Sequence, residues 1–291
     1  PKPMAPLCGR PALEYILELL KKHGVDEAAV TLRYLPKKVT DYFDEHPMRD
    51  ITLHFIEEDT PLGTAGGVRN AAAGRFTDPF VVISGDAMCS VDLTEAMRTH
   101  RERQADATIV VTRVKDPREY GLCVSNAEGY VTGFVEKPDW TQASTDAANT
   151  GIYILNPELL RLIPSGRPFD FASNLFPLML AQGRKIAVYE ADGYWCDIGD
   201  LSTYLSCQRD MLSGKAGVSL PKEQKPDVYS DYPLPEGDYK IFPPVYLGSR
   251  VRIGQGAVIG PDAVLCDGVV IGEGARVRSS VILDDVLIGD N

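Results

Sequence analysis

Apolar residues recur with helical spacing near the start of the chain. Leu13, Ile16, Leu17 and Leu20 lie at positions i, i+3, i+4 and i+7, which predicts a helix with one apolar face. From there to residue 114, helices are predicted at 36–45, 65–73 and 92–104, and short apolar strands at 28–34, 51–55, 80–85 and 107–114. This alternation predicts a parallel sheet with helices on both of its faces.

The apolar run Phe80–Ile83 stops at the tripeptide Ser84-Gly85-Asp86. A β-branched run of this kind predicts a strand that is buried on both faces. Ligands of open α/β sheets bind at the carboxyl ends of the strands, so Asp86 is a candidate ligand of Mg²⁺ there. The structural alternative is that Asp86 caps the helix that follows.

A glycine-bearing turn, Thr60–Gly67, precedes the predicted helix 65–73. Backbone N–H groups at the start of a helix suit an anion or the flat edge of a base. An ordinary tight turn between a strand and a helix is the alternative interpretation.

Beyond residue 114 the order of elements changes. Two strands, Gly121–Ser125 and Tyr130–Glu136, flank a short polar turn and predict a hairpin. Strands at 150–155 and 186–190, and helices at 170–182 and 201–212, follow, the last with Asp200 as its cap. The sheet is therefore predicted to be mixed, with antiparallel pairs added in this half.

A repeat of six residues begins after a proline-rich stretch. Its aliphatic positions are Leu247, Ile253, Ile259, Leu265, Ile271, Val277 and Leu283. This period predicts a β-helix solenoid with one inward aliphatic residue per repeat. The spacing slips near Asp284-Asp285, which we interpret as an adjustment at a corner. The predicted organisation is a first domain at 1–216, a linker at 217–243 and an incomplete repeat domain at 244–291.

Composition narrows the classes of function. The formal net charge of −11 argues against a nucleic-acid-binding surface. Apolar runs stay well short of the ~20 residues that a membrane helix needs. Six cysteines are scattered without metal-ligand spacing, which favours reduced thiols and a cytoplasmic protein.

Further charged residues follow predicted strands. Glu136-Lys137 ends one of them, and Asp197 lies just before the helix at 201–212. Two carboxylates brought together from separate strands, such as Asp86 and Asp197, make an oxygen-lined Mg²⁺ site with room for phosphates. Lys137 would add a cation for a phosphate, and Glu136 could accept hydrogen bonds from sugar hydroxyls. The structural alternatives are a turn cap at Asp197 and an exposed ion pair at Glu136-Lys137, worth ~0–1 kcal/mol.

Seven short motifs follow one another in an order that is typical of one family. They are Pro1-Lys2-Pro3-Met4, Thr60–Gly66, Ser84-Gly85-Asp86, Glu119-Tyr120-Gly121, Phe134–Pro138, Asn149–Tyr153 and Tyr194–Gly199. Residues 1 to about 215 thereby resemble the sugar-1-phosphate nucleotidyltransferases, and most of all their mannose-1-phosphate guanylyltransferase branch. The resemblance implies an α/β fold, with a Rossmann-like mixed-sheet domain followed by a left-handed parallel β-helix of hexapeptide repeats.

The resemblance also implies roles for individual residues. Asp86 and Asp197 correspond to the metal-binding acids, and Mg²⁺ is the expected cofactor. Lys2, Lys137 and Asp86 are the expected catalytic residues, with Lys137 at the sugar phosphate. Gly63 and Thr64 lie in the loop that reads the base. The sugar is expected to contact Gly121, Glu136 and Asn149.

The family begins with a strand and a Gly-rich loop carrying an arginine, and Pro1 lies after both. We therefore expect residues 1–291 alone to be weakly active or inactive and poorly folded. Long relatives also lead us to expect a phosphomannomutase-like domain after the repeats in the parent chain, and the repeats offer a surface for a homo-oligomer.

The expected reaction joins a nucleoside triphosphate and a hexose-1-phosphate, with GTP and mannose-1-phosphate as the first choice. The sugar phosphate oxygen attacks the α-phosphorus in line, and pyrophosphate leaves. Alternatives are a glucose-1-phosphate enzyme with another base, a glycosyltransferase, and a regulatory or scaffold relative that binds nucleotide-sugar. An acyltransferase is disfavoured because all four histidines precede the repeats.

Overall fold

A computed structural model describes residues 1–141 and 143–291. It divides into two compact units. The first comprises Pro1, Glu18–Ser84 and Val91–Gly193, and the second comprises Lys2–Leu17, Gly85–Ser90 and Tyr194–Asn291. The α-helices of the two units are Ala12–Lys22, Pro36–Glu45, Gly63–Ala72, Leu93–Glu102, Phe176–Ala181 and Leu201–Leu212.

The main sheet of the first unit is mixed, as the second half of the sequence predicts. Its strands are, in spatial order, Ile186–Glu190, Ala107–Arg113, Ala147–Leu155, Gly121–Ser125 and Val131–Glu136, with Phe80–Val82 also on Ala147–Leu155. The first two of these strands are parallel, and the remaining pairs are antiparallel. The predicted hairpin Gly121–Ser125 to Glu136 is confirmed.

The parallel sheet predicted for the first 114 residues is wrong in one respect. Strands Glu27–Leu32 and Thr52–Glu57 are parallel, but they form a separate two-stranded sheet among the described residues. The strand Phe80–Val82 pairs antiparallel with Tyr153–Leu155, and its three residues are half-buried rather than buried on both faces. Local alternation predicted the strands correctly but carries no information about which strand each one pairs with.

A bulge lies in the long central strand Ala147–Leu155. Asn149 is opposite Val111 and Tyr153 is opposite Ile109, so four residues on this strand face two on its neighbour. Gly151, inside the bulge, has φ +75°. The bulge separates the part of the strand that pairs with Leu122 from the part that pairs with Phe80–Val82. Such irregularities re-aim side chains, and here Asn149 is at its edge.

The predicted helix at 170–182 consists of two pieces. Phe171–Leu175 forms one π-helical turn, and the α-helix Phe176–Ala181 follows. Pro177 in the first turn of the α-helix has no N–H to donate backwards, which favours the wider turn before it. The amide of Phe176 donates to the carbonyl of Phe171, five residues earlier.

Short parallel ladders make up most of the second unit. Its strands are Pro6–Leu7, Arg10–Pro11, Ala87–Cys89, Trp195–Asp197, Glu223–Lys225, Val228–Tyr229, Lys240–Ile241, Val245–Leu247, Arg252–Ile253, Val258–Ile259, Ala263–Leu265, Val270–Ile271, Arg276–Val277, Ser280–Ile282 and Leu287–Ile288. Strands Val228–Tyr229 and Lys240–Ile241 already pair in parallel with later ones, so the ladders begin within the stretch predicted as a linker.

The register of these ladders places paired residues 17 or 18 positions apart. Val245 is opposite Ala263, 18 residues later, but Ala263 is opposite Ser280, only 17 residues later. One residue is therefore lost between Val277 and Ser280, before the predicted slip at Asp284-Asp285. As a result Ile282 pairs with Leu265 and packs on the apolar core of the ladders. The predicted inward residue, Leu283, is wrong: its side chain is 49% exposed.

Candidate active site

The two candidate metal-binding acids lie on paired strands of the second unit. Ala87–Cys89, which directly follows Asp86, pairs antiparallel with Trp195–Asp197, and Asp197 is opposite Ala87. The amide of Ile198 also donates to the carbonyl oxygen of Asp86 at 3.4 Å. Two acids that are far apart in sequence thus lie at the same end of one two-stranded ladder.

The backbone next to this ladder holds it together at its other end. Ser90 donates its amide to the carbonyl of Tyr194 at 2.9 Å, and the Tyr194 amide donates to the Ser90 hydroxyl at 3.1 Å. The Tyr194 hydroxyl donates to a carboxylate oxygen of Asp210 on the helix Leu201–Leu212 at 2.9 Å. The strand that carries Asp197 is therefore tied both to its partner strand and to the helix after it.

The structural alternatives for these two acids can be examined directly. Helix Leu93–Glu102 is capped by Asp92, whose side chain accepts from the Glu95 amide at 3.0 Å. Helix Leu201–Leu212 is capped by Asp200, which forms a capping box with Thr203. The hydrogen bond from the Thr203 amide holds the pKa of Asp200 below its usual range. Other residues supply both helix caps, so helix capping does not account for Asp86. These contacts do not test the alternative of a turn cap at Asp197, which stays a prediction.

Lys2 places a cation beside the first acid. It begins the short 3₁₀ turn Lys2–Met4, and its Nζ lies 3.6 Å from Oδ2 of Asp86. The Lys2 side chain is 56% exposed and that of Asp86 is 28% exposed. An ideal Cβ on Gly85 would be in van der Waals contact with the ring of Pro3, 3.4 Å away. The N-terminal segment therefore packs on the Gly-Asp turn and brings an ammonium group to it.

Glu136, Lys137 and Gly121 lie together in the hairpin of the first unit. Gly121 is opposite Glu136, and an added Cβ at Gly121 would lie 2.9 Å from Oε2 of Glu136. The Lys137 amide donates to the carbonyl of Tyr120 at 3.2 Å. Lys137 has φ +39°, a left-handed conformation that is uncommon for a residue with a side chain and that often marks a functional position.

Asn149 lies at the bulge of the central strand. Its Oδ1 accepts from the amide of Gly151 at 3.1 Å. Burial raises the pKa of Tyr153 to about 12, against an opposing hydrogen bond with Asn149. The side chain of Asn149 is thus oriented by its own turn and by a buried phenol.

The turn Gly63-Thr64 opens the helix Gly63–Ala72, and its amides already have partners. The Thr64 amide donates to Oδ1 of Asp170 at 2.8 Å. The amides of Ala65 and Gly66 both donate to the carbonyl of Phe169 at 2.9 Å. The amides of Thr64, Ala65 and Gly66, which were considered as donors to an anion or to the edge of a base, therefore donate to groups of the chain itself. Asp170, 106 residues away from Thr64, carries no sequence signal for this contact beyond its place before a predicted helix.

Electrostatics suggest what the paired strands could bind. Asp86 and Asp197 supply hard oxygen ligands, and Mg²⁺ is often held by one or two carboxylates together with substrate phosphates. Across residues 1–141 and 143–291, no cluster of three or more His, Cys, Asp or Glu side chains is arranged to hold a metal. The residues present thus fit a cation that takes most of its ligands from substrate and water, rather than an all-protein cage.

The predicted site residues fall into sets within the two units. Lys2, Asp86 and Asp197 lie in the second unit, and the structure brings the first two within ion-pair distance. The residues predicted to bind base and sugar, Gly63, Thr64, Gly121, Glu136, Lys137 and Asn149, all lie in the first unit. In the described part of the chain, no helix combines the length and apolar character required to cross a bilayer.

Two family models match the chain. The nucleotidyl transferase model matches residues 1–214, and a model described as the GMPPB C-terminal domain matches residues 241–291. The two matches together span both units.

Curated relatives match over nearly the full chain. The UTP–glucose-1-phosphate uridylyltransferase of Synechocystis sp. is 34% identical, over 93% of this chain and 76% of its own length. The mannose-1-phosphate guanylyltransferase of Mycobacterium tuberculosis is 30% identical, over 98% of this chain and 77% of its own length.

Solved structures resemble about three quarters of the chain. HddC from Yersinia pseudotuberculosis superposes with a TM-score of 0.65 at 26% identity, covering 72% of this chain and 90% of its own. A second structure of that protein, complexed with GMP-PN, has the same score, identity and coverage.

Proposed function

The chain belongs to the nucleotidyl transferase family, and from that premise we propose that it joins GTP and mannose-1-phosphate to give a nucleotide-sugar and pyrophosphate. The observation that carries the proposal is the pairing of the strands next to Asp86 and Asp197, with Lys2 beside the first acid. Relatives named for guanylyl transfer to mannose-1-phosphate, and a structural neighbour complexed with GMP-PN, support the choice of base and sugar.

The chemistry needs no protein nucleophile. An anionic oxygen of the sugar-1-phosphate forms a bond to the α-phosphorus of the triphosphate, and the bond from that phosphorus to the bridging oxygen breaks. Pyrophosphate carries away the electron pair, and no proton has to move. The work of the protein is to position the two phosphates and to offset the charge that accumulates on the phosphoryl oxygens.

Lys2 and Lys137 are the proposed cations for this task. Lys2 is held near the phosphoryl site by its contact with Asp86, 3.6 Å from Nζ. Lys137 is proposed to contact the phosphate of the sugar substrate. Its left-handed backbone conformation supports a functional role, because such strain is usually retained where a side chain must be directed.

Asp86 and Asp197 are proposed to hold Mg²⁺. When bound, the ion would supply positive charge next to the triphosphate. The support is chemical: two carboxylates from paired strands form a hard, oxygen-only donor set that leaves several positions for phosphate and water. With Lys2 lying 3.6 Å from Asp86, such an ion would add further positive charge beside the phosphates.

The remaining predicted residues are proposed to recognise the two substrates. Gly63 and Thr64 would contact the base. Gly121, Glu136 and Asn149 would contact the sugar, with the exposed Glu136 carboxylate accepting from hydroxyl groups.

UTP and glucose-1-phosphate are the second candidate pair of substrates. The relative from Synechocystis sp., named for uridylyl transfer to glucose-1-phosphate, is 34% identical, and this observation favours the alternative. The two relatives differ in base and sugar at similar identity, so substrate identity has to be measured.

The test uses the complete parent protein rather than residues 1–291 alone. Four nucleoside triphosphates are each assayed with mannose-1-phosphate and with glucose-1-phosphate in the presence of Mg²⁺, and pyrophosphate release is measured. The proposal expects the highest kcat/KM for GTP with mannose-1-phosphate. It also expects Asp86→Asn and Asp197→Asn to abolish turnover, while the matched acid Asp41→Asn, on the helix Pro36–Glu45, leaves it unchanged. Nucleotide-sugar binding without pyrophosphate release would instead support a scaffold relative, and a preference for UTP with glucose-1-phosphate would support the second pair.

We further propose that the parallel ladders form a left-handed β-helix and that it mediates a homo-oligomer in the cytoplasm. Three ladders that each return after 18 residues, for example Val258 to Arg276, support three hexads per coil. Six free cysteines support a reducing compartment. The mass in solution, measured by light scattering, tests the oligomer.

A further inference from the structure

We propose that Asp170 is the positioning residue for base selection: it clamps the turn Gly63-Thr64, and the preference for one base over another depends on that clamp. The inference rests on the proposed function, because that function assigns the turn to the base. The inference goes beyond the proposed function because it names a residue outside the turn, and base specificity depends on that residue.

In this clamp, Thr64 donates hydrogen bonds to Asp170 and accepts one from the residue after it. Oδ1 of Asp170 accepts from the amide of Thr64 at 2.8 Å and from its hydroxyl at 3.0 Å. The same hydroxyl accepts from the amide of Phe171 at 3.1 Å. Both the backbone and the side chain of Thr64 are thereby fixed relative to one carboxylate.

The backbone on either side of the clamp is also joined. The amide of Phe169 donates to the carbonyl of Leu62 at 2.8 Å, and the carbonyl of Phe169 accepts from Ala65 and Gly66. The positive end of the helix Gly63–Ala72 therefore faces a carboxylate and a carbonyl, which is the favourable arrangement for its dipole.

Gly63 shows how closely the two segments approach. It has φ +70°, and a Cβ there would lie 2.8 Å from the carbonyl oxygen and 2.9 Å from the amide nitrogen of Phe169. It would also lie 3.0 Å from Oδ1 of Asp170. The two segments therefore approach too closely for a side chain at position 63, and the hydrogen bonds between them oppose their separation.

Asp170 is itself held by the core of the first unit. Its amide donates to Oδ1 of Asn174 at 2.8 Å. The next residue, Phe171, is buried, and its ring lies 4.8 Å from that of Tyr153 and 5.6 Å from that of Phe176. The half-buried carboxylate of Asp170 is thus held by the core, and it in turn hydrogen-bonds to the exposed turn. Packing and hydrogen bonds behind a binding group determine how accurately that group is placed.

The consequence for recognition follows from the small tolerance of binding geometry. A displacement of about 1 Å in a positioning group can cost as much as ~100-fold in rate. Loss of the Asp170 oxygen frees the amide and hydroxyl of Thr64 to find other partners. We expect this to affect the base that fits the turn more than the bases that do not.

The experiment measures dissociation constants of all four nucleoside triphosphates and kcat and KM with mannose-1-phosphate. Asp170→Ala is expected to lower the ratio between the preferred base and the next best about tenfold, through a higher KM, with kcat retained. Asp170→Asn keeps an acceptor oxygen and is expected to retain the ratio. Thr64→Val, which leaves the helix cap in place, is expected to lower the ratio in the same direction as Asp170→Ala.

A matched control separates specificity from loss of a helix cap. Asp92→Ala removes the equivalent cap from helix Leu93–Glu102, and we expect it to lower the melting temperature like Asp170→Ala while leaving base preference unchanged. The proposal is overturned if Asp170→Ala or Thr64→Val binds the four triphosphates in the wild-type ratio. It is also overturned if the wild type binds all four equally. Absence of turnover with discriminating binding would contradict the proposed function and leave the clamp supported.

Discussion

Replacement of Lys2 by alanine should separate catalysis from stability. The Lys2–Asp86 pair spans 3.6 Å and the lysine is 56% exposed, so solvent screens most of its attraction. Exposed ion pairs of this kind contribute ~0–1 kcal/mol to the free energy of unfolding. The melting temperature of Lys2→Ala should therefore remain within a few degrees of the wild-type value.

The effect on turnover should be much larger. A cation aimed at charge that develops only in the transition state typically contributes 10²- to 10³-fold to kcat, about 2.7–4 kcal/mol. Lys2→Ala is expected to lose kcat in about that range, with a smaller change in the KM for either substrate. Lys2→Arg keeps the positive charge but replaces the compact ammonium group by a planar guanidinium. We therefore expect its kcat to lie between those of Lys2→Ala and the wild type.

The assay is pyrophosphate release at saturating GTP and mannose-1-phosphate, together with thermal unfolding of each variant. Lys38→Ala, an exposed lysine on the helix Pro36–Glu45, serves as the control and should change neither quantity. A kcat of Lys2→Ala within threefold of the wild-type value would contradict a catalytic role for Lys2. A fall of ten degrees or more in the melting temperature would contradict the separation of catalysis from stability, because the pair would then be structural.

Three further predictions concern stability. Burial lowers the pKa of His100, so the unfolded chain takes up this proton first as pH falls below about 6.5, and stability is lost there. His100→Gln should therefore reduce the fall in melting temperature between pH 7 and 5. The free energy of unfolding that one proton removes cannot exceed about 1.4 kcal/mol per pH unit. Ile282→Ala should lower the free energy of unfolding by roughly 1–2 kcal/mol, measured with denaturant, and Leu283→Ala by less than about 0.5 kcal/mol. A larger loss for Leu283→Ala than for Ile282→Ala would contradict the observed register. Gly63→Ala, at φ +70° and in contact with the opposite backbone, should cost roughly 1–3 kcal/mol and is contradicted by an unchanged melting temperature.

The His100 prediction depends on a neutral ring with assigned hydrogen bonds. Nε2 lies 3.1 Å from Oδ1 of Asn156, and the amide nitrogen of that side chain donates to the carbonyl of Ala105 at 3.0 Å. Oδ1 must therefore accept, so Nε2 carries the proton. Nδ1, 2.9 Å from the hydroxyl of Thr108, then accepts. A second proton on the ring would break this arrangement inside the core.

Elements that depend on local chemistry could be predicted from the sequence. The helix Pro36–Glu45 and the cap at Asp200 are confirmed as predicted, because a proline, a capping acid and a repeating apolar face act within a few residues. The hairpin ending at Glu136 is confirmed for the same reason. Each of these features is specified by neighbours in the chain.

Features that depend on distant partners could not be predicted. The strand Phe80–Val82 was assigned to a parallel sheet because periodicity does not reveal its antiparallel partner. The amide and hydroxyl of Thr64 donate to Asp170, which no spacing rule connects to them. A hexad count also places Leu283 inward, since the count cannot show where a coil loses one residue.

The pairing of the two strands at the candidate metal site could not be predicted from the sequence either. Ala87–Cys89 and Trp195–Asp197 are three residues each, too short to carry a periodic signal. Only the resemblance to a family linked Asp86 with Asp197 in the sequence. The structure adds an independent physical link, the ladder between their strands.

Asp86 and Asp197 each have a structural and a functional interpretation. An aspartate after a strand or before a helix is most simply explained as a cap, but Asp92 and Asp200 already cap the two helices concerned. Both acids lie at the same end of one ladder, and the Lys2 ammonium lies 3.6 Å from the first of them. In a chain with a formal net charge of −11, polyphosphate substrates need locally positive surroundings. The proposed divalent cation at Asp86 and Asp197 would supply such positive charge next to the phosphates, and under that proposal acids rather than further lysines are suited to this position.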